Sequence, residues 1–285
     1  MSDTISVQAL LHTRFPGFSR KPWLLRKAIV LTLSGLLREK RINALMQYSA
    51  GRLGLGFNDA LLDYLELGYS ATGAEQIPAG GPLVVVANHP LGALDGAALI
   101  QLVSRVRPDV RMVVSDILLQ FRPARDILLP VDNLSGRNNR SNVDGIDAAL
   151  ARGEAVIIFP SGEVSRASPK GIRDGLWRTG FLRVAKRAGA PILPVHISGR
   201  NSLGFYAWSM LYKPLAMLLL AREVFAKQGG KIQISIGAPI AWPVLEAMQL
   251  SLPEAAAHLR EHIYTLRPKP AHKLAWRRKK ALAKH

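Results

Sequence analysis

From residue 83 onward the chain alternates short apolar runs with amphipathic stretches, and few folds satisfy that alternation. Runs of strand length rich in β-branched residues fall near 83–87, 110–114, 127–131, 155–159, 191–196 and 231–236. Helical periodicity returns near 95–106, 116–124, 140–152, 174–187 and 243–265. Repeated strand-then-helix order implies a layered α/β fold: a central, mostly parallel or mixed sheet flanked by helices. In such sheets the functional loops leave the carboxyl ends of the strands. Upstream, residues 22–48 read as one or two helices, with cations at Arg20, Lys21, Arg26, Lys27, Arg38, Lys40 and Arg41 around an apolar middle, Ala28 to Leu37. That middle is about half the length needed to cross a bilayer, so these helices either lie on a membrane surface or pack on the domain. The expected division is an N-terminal, membrane-facing helical region (1–70), an α/β domain (71–266) and a basic tail (267–285).

The strand Val84-Val85-Val86-Ala87 runs directly into Asn88-His89-Pro90-Leu91-Gly92-Ala93-Leu94-Asp95, where Pro90 and Gly92 break the regular backbone. His89 is therefore expected on a loop, and Asp95 at the N-cap of the following helix. A carboxylate aimed back at one imidazole nitrogen fixes the tautomer and leaves the other nitrogen free to take a proton, the arrangement of a general base.

A second loop follows Ala155-Val156-Ile157-Ile158-Phe159 and reads Pro160-Ser161-Gly162-Glu163-Val164-Ser165-Arg166, continuing to Lys170-Gly171. Backbone N–H groups freed by Gly162, with Arg166 and Lys170, suit an anionic headgroup, and Glu163 suits a polar acceptor group. Because it too leaves a strand end, this loop is expected to share a cleft with His89.

The chain has no cysteine, which removes disulfides and thiolate nucleophiles from consideration. Its formal charge of +18 implies attraction to something anionic: nucleic acid, acidic lipid or a phosphorylated substrate. The last 19 residues, from Arg267, carry eight Lys/Arg, no acid and Trp276, a composition suited to a lipid interface or to a solvated tail. Residues 202–226, aromatic and apolar, suit an acyl-chain groove, a membrane contact or a plain buried helix.

Asn88-His89 with Asp95, then Phe159-Pro160-Ser161-Gly162-Glu163, then Pro191-Ile192-Leu193-Pro194-Val195 resemble, in order and spacing, the successive blocks of the glycerolipid (lysophospholipid) acyltransferase superfamily. The resemblance covers about residues 80 to 200. It is to the bacterial branch with hemolysin-like and ornithine-lipid acyltransferases, because five residues rather than four separate His89 from Asp95 and the acid and arginine of the second block are displaced to Glu163 and Arg166. It implies an O-acyltransferase that moves a fatty acyl group from acyl-CoA or acyl-carrier protein to the hydroxyl of a lysolipid, a lysophospholipid or lyso-ornithine lipid. His89 would be the base and Asp95 its orienter, with Ser161, Gly162, Glu163, Ser165 and Arg166 holding the acceptor. No cofactor or metal is implied, the acyl donor being a substrate. The implied setting is peripheral, on an anionic membrane surface at the cytoplasmic face of the inner membrane.

Other signals carry less. His258-Leu259-Arg260-Glu261-His262 has the H-x-x-E-H spacing of a zinc site, but no Asp or Glu follows Glu261 to complete it. Gly54-Leu55-Gly56 follows no strand and reads as a turn between helices. Pro160-Ser161-Gly162 lacks the pattern of a serine-hydrolase elbow. The rival from another class is a non-enzymatic basic module binding acidic membrane or nucleic acid. Nucleic acid is not the expected partner, since the tryptophans and tyrosines lie mostly in apolar runs rather than on a basic face.

Overall fold

The computed structural model of the chain describes residues 4–131, 140–211 and 213–268. Four helices come first: α1 (Val7–Arg14), α2 (Trp23–Leu36), α3 (Glu39–Tyr48) and α4 (Leu55–Tyr64). The strands are β1 (Gly68–Thr72), β2 (Leu83–Ala87), β3 (Val110–Ser115), β4 (Leu128–Val131), β5 (Ala155–Ile158), β6 (Arg166–Ser168), β7 (Gly171–Arg173), β8 (Ile192–Ser198) and β9 (Lys231–Ile236). Between and after them lie α5 (Ala93–Ser104), α6 (Arg140–Ala151), α7 (Gly180–Ala188), α8 (Leu203–Leu211), α9 (Lys213–Ala226), α10 (Trp242–Ala247) and α11 (Leu252–Thr265).

Seven strands form one sheet in the order β1-β9-β8-β2-β5-β3-β4, and β6 and β7 form a small hairpin beside it. Every pair in the large sheet is parallel except β8 with β9. The expected α/β class, with a mixed, mostly parallel sheet between helices, is what the chain adopts. At the centre, all five residues of β2 are buried. Leu83, Val85 and Ala87 pack into one cluster with Phe57 and Leu62 of α4 and Leu94 and Ala98 of α5. Val84 and Val86 face the other side, against Ala149 of α6, Leu182 of α7 and Leu259 of α11. A strand covered on both faces needs apolar residues at every position, which is why its sequence does not alternate. Each such side chain contributes about 1.5–3 kcal/mol by leaving water.

Several elements differ from the sequence expectation. The stretch 116–124 is not an α-helix but two 3-10 turns, Asp116–Gln120 and Arg122–Ile127, separated at Phe121, with Pro123 in the first turn of the second. The helix expected over 174–187 starts only at Gly180, because residues 174–179 run over the sheet end. The stretch 243–265 divides into α10 and α11 at a turn where Gln249 has φ 52°. Two elements were not foreseen: β1, which straddles residue 71 and pairs with β9, and the β6–β7 hairpin.

Residues 22–48 form two helices, joined at Arg38 in the left-handed conformation. They answer the surface-or-packed question differently. α3 buries Leu45 and Met46, whereas α2 has no buried residue and exposes Trp23, Leu24, Leu25 and Leu31. Among the described residues no helix is long and apolar enough to cross a membrane. Most of the basic tail, including Trp276, lies outside the described residues.

Candidate active site

Strands β2, β5 and β8 are neighbours, and the loops from their carboxyl ends meet over the sheet edge. Asn88, first residue after β2, is buried and pins the loop to β8: its amide donates to the Ile197 carbonyl (2.8 Å) and accepts the Ile197 N–H (2.7 Å). The next residue, His89, stacks its ring on Phe159 at the end of β5, with centroids 4.0 Å apart and planes 23° from parallel.

Asp95 is fully buried, and its Oδ2 lies 3.1 Å from His89 Nδ1. The approach is close but not a linear hydrogen bond, and Nδ1 has no other partner; catalytic contacts of this kind commonly tighten only when substrate binds. The same oxygen accepts the N–H groups of Leu91 (2.7 Å) and Gly92 (3.1 Å). Asp95 is not the helix N-cap expected from the sequence. Gly92 caps α5 at φ 80° and ψ −133°, and Asp95 occupies the third helical position, from which its side chain folds back on the cap N–H. An L side chain at position 92 would strain that backbone, so the glycine sets the return of the carboxylate. Burial pushes the Asp95 carboxyl above its ordinary value; the His89 contact and the two amides oppose the rise without cancelling it. His89 Nε2 has no hydrogen-bond partner among the described residues, and the side chain is 18% exposed. Its geometry leaves one nitrogen oriented by a buried acid and the other open to a substrate proton.

The second loop lies alongside. Ser165 donates its N–H to the His89 carbonyl at 2.8 Å, joining the two loops backbone to backbone. Gly162 (φ 66°) closes a tight turn by donating its N–H to the Phe159 carbonyl (3.0 Å). That amide is therefore not free for an anion, contrary to the sequence reading of this turn. Ser161 is buried, with its hydroxyl on the Glu163 carbonyl (2.7 Å), and Ser165 is buried, with its hydroxyl on Asp174. Glu163 is exposed and lies 3.4 Å from Arg166, whose guanidinium also sits over the Phe205 ring at 5.7 Å. Arg166 Nε and Nη1 are buried and unpartnered. Lys170 stands exposed at the far turn of the β6–β7 hairpin.

The stretch 202–226, which the sequence leaves open as an acyl-chain groove, a membrane contact or a plain buried helix, supplies a third wall. α8 and α9 pack on each other and over both loops: Phe205, Tyr206 and Leu219 cluster with Val164, and the nearest side chains to Gly92 are Leu220 and Val164. Asn201 donates to the Pro90 carbonyl (3.1 Å) and its N–H to the Tyr206 hydroxyl (2.9 Å), while buried Glu223 accepts both the N–H and the hydroxyl of Ser202. Leu203, Trp208, Met210 and Leu211 on α8 remain exposed. The apolar composition of 202–226 was the available signal, and it marked an element of the site without saying which face it presents. The H-x-x-E-H segment is placed away from any such role: Glu261 pairs with Arg173 (2.8 Å) and Arg260 (3.2 Å).

Comparison with known proteins gives this arrangement a context. A family model described as an acyltransferase matches residues 10–271. The chain is 29% identical over 269 residues to the lyso-glycine lipid O-acyltransferase of Bacteroides thetaiotaomicron, covering 92% of this chain and 97% of that protein. It is 27% identical over 249 residues to the protein of the same name from Phocaeicola vulgatus, covering 85% and 88%. Among solved structures, the 1-acyl-sn-glycerophosphate (LPA) acyltransferase PlsC of Thermotoga maritima is similar with a TM-score of 0.46 and 18% identity, over 81% of this chain and 84% of that one. With a family match spanning nearly the whole chain, and His89 and Asp95 inside it, the chain belongs to the acyltransferase family.

Proposed function

We propose that this protein esterifies the free hydroxyl of a lysolipid with a fatty acyl group taken from acyl-CoA or acyl-carrier protein. The observation that carries the reading is the pairing of His89 Nδ1 with buried Asp95, which leaves Nε2 open beside the Phe159–Arg166 loop. In the proposed reaction His89 Nε2 removes the proton of the acceptor hydroxyl as the oxygen attacks the thioester carbonyl. The tetrahedral intermediate then collapses, the carbon–sulfur bond breaks, and the leaving thiolate takes the proton from the imidazolium. No covalent acyl-enzyme is needed, and none of the steps calls for a thiol on a chain that has none. A positioned base of this kind contributes about two to four orders of magnitude.

Near full-length similarity to two lyso-glycine lipid O-acyltransferases supports an acceptor of the lyso-aminolipid kind, a glycine or ornithine lipid, ahead of lysophosphatidate. Glu163 and Arg166 are the side chains at the loop able to contact such a headgroup, Glu163 a cation and Arg166 a carboxylate. Ser161, Gly162 and Ser165 would act by shaping the loop. Exposed apolar side chains on α2 and α8, near the cations Arg26 and Lys27, support a peripheral site on an anionic membrane at the cytoplasmic face. The test is transfer from labelled acyl-CoA and acyl-carrier protein into lyso-glycine lipid, lyso-ornithine lipid and lysophosphatidate, with His89→Ala as control. Transfer by wild type that vanishes in the folded variant upholds the reading. No transfer to any acceptor, or equal transfer by both proteins, overturns it.

A further inference from the structure

Two buried carboxylates meet His89 itself, at different points. Asp95 meets the ring. The peptide is met by Asp174, which follows β7 and is buried. Asp174 Oδ1 accepts the His89 N–H at 3.1 Å and the Ser165 hydroxyl at 2.5 Å; Oδ2 accepts the Trp177 indole N–H at 3.0 Å. Ser165 in turn donates its N–H to the His89 carbonyl. Both polar groups of the His89 backbone therefore end on the Ser165–Asp174 pair, some eighty residues away in sequence. We propose that Asp174 is a positioning residue of the active site, a buried carboxylate that fixes the His89 backbone so that the imidazole keeps its aim at the acceptor hydroxyl; its catalytic consequence rests on the function proposed above.

Three donors converge on Asp174, which suits a group that only accepts. Asparagine fits the space but must turn its NH2 toward one of those donors, losing a bond and leaving two N–H groups or an N–H and an O–H face to face. Tyr264 closes the network from α11: its hydroxyl accepts the Asp174 N–H at 2.7 Å and also meets Ser165. Burial, with the Asp174 charge second, pushes that phenol up to about 12, so it holds its proton over the whole working range. Phe159 adds a face to the ring, but stacking permits sliding. Asp95 sets the ring's tautomer yet contacts it without a linear bond. Asn88 ties the loop to β8 one residue earlier, and the Ser165–Asp174 clamp holds the His89 peptide itself; a displacement near 1 Å is enough to cost about 100-fold in rate.

Asp174→Asn in the full chain tests this in two ways. Hydrogen exchange should quicken by about tenfold at the amides of 88–92 while the amides of β8 keep their protection. In acyl transfer kcat should fall about 10- to 100-fold, with KM for donor and acceptor unchanged, since substrate contacts are intact. Unchanged exchange at 88–92, or faster exchange there with unchanged kcat, overturns the proposal. If wild type transfers no acyl group, the proposed function falls while the exchange arm still decides whether the clamp exists. Should the variant not fold, Ser165→Ala removes the hydroxyl that donates to Oδ1 and meets Tyr264, and leaves the Ser165 N–H on the His89 carbonyl: a lower kcat at constant KM supports the clamp, and a raised acceptor KM at constant kcat makes Ser165 a substrate contact and overturns it.

Discussion

One oxygen of Asp95 serves both His89 and the loop that presents it, lying 3.1 Å from Nδ1 while accepting the amides of Leu91 and Gly92. Asparagine with its oxygen in that place keeps the amide bonds but removes the negative charge that stabilises the imidazolium; with its NH2 there it moves the ring proton to Nε2, where the base must be free, and faces two amide N–H groups. Asp95→Asn should therefore lower kcat by about 10³- to 10⁴-fold, measured in the transfer assay.

The same variant should not lose stability. Burial holds the Asp95 carboxyl above its ordinary value, so the stability it contributes is present below that value and lost as pH rises through the folded-state pKa. Asp95→Asn removes the ionisable group whose charged form burial disfavours. The thermal midpoint at pH 7 should be equal to or higher than that of wild type; a lower midpoint would contradict the assigned direction.

His196 predicts an opposite pH signature. Burial, and secondarily the Arg267 charge, brings its imidazole down to about 4, well under its unfolded value of 6.5. The unfolded chain binds the proton first, so stability falls as pH drops from about 6.5 through 4, by about 3 kcal/mol once below both values. Denaturant unfolding of wild type and His196→Gln across this window should show the slope in the first and a reduced slope in the second.

Gly199 has no room for a side chain, since a Cβ there would lie 2.7–2.9 Å from three atoms of Leu91. Gly199→Ala must displace the Leu91 side chain, two residues from His89, and is expected to disturb the loop that carries the proposed base. Transfer should drop about tenfold while the far-ultraviolet spectrum stays native, because the substitution lies at a strand end rather than inside the sheet.

At the acceptor side, Arg166→Ala should raise the acceptor KM about tenfold or more and change kcat little, the signature of a lost charged hydrogen bond to a headgroup. A selective fall in kcat would place Arg166 elsewhere in the reaction.

The pairing of His89 with Asp95, proposed here as catalytic, was legible because it is local. His89 and Asp95 are six positions apart, on a loop bracketed by an unmistakable apolar strand and a helix. Strand β2 was equally readable, for its five buried residues leave no other period. Asp174 was not, because a polar residue between Arg173 and Gly175 looks like any turn; its meaning comes from partners 85 residues upstream at His89 and 90 downstream at Tyr264. β1 escaped notice for a related reason: Gly68-Tyr69-Ser70-Ala71-Thr72 has weak strand composition, and pairing with β9 supplies what propensity does not. Gly162 misled because a glycine in a polar loop suggests an open cradle, whereas this one turns its amide back onto Phe159.

β8 and β9 are adjacent and antiparallel, so a turn of a few residues could join them. Residues 199–230 intervene instead, and they build the helical pair that leans over the His89 loop. The sheet does not require this insertion, and His89 and Asp95 come from elsewhere in the chain. Exchanging one excursion between two strands can thus rebuild the enclosure over the His89 loop, leaving His89, Asp95 and their scaffold intact.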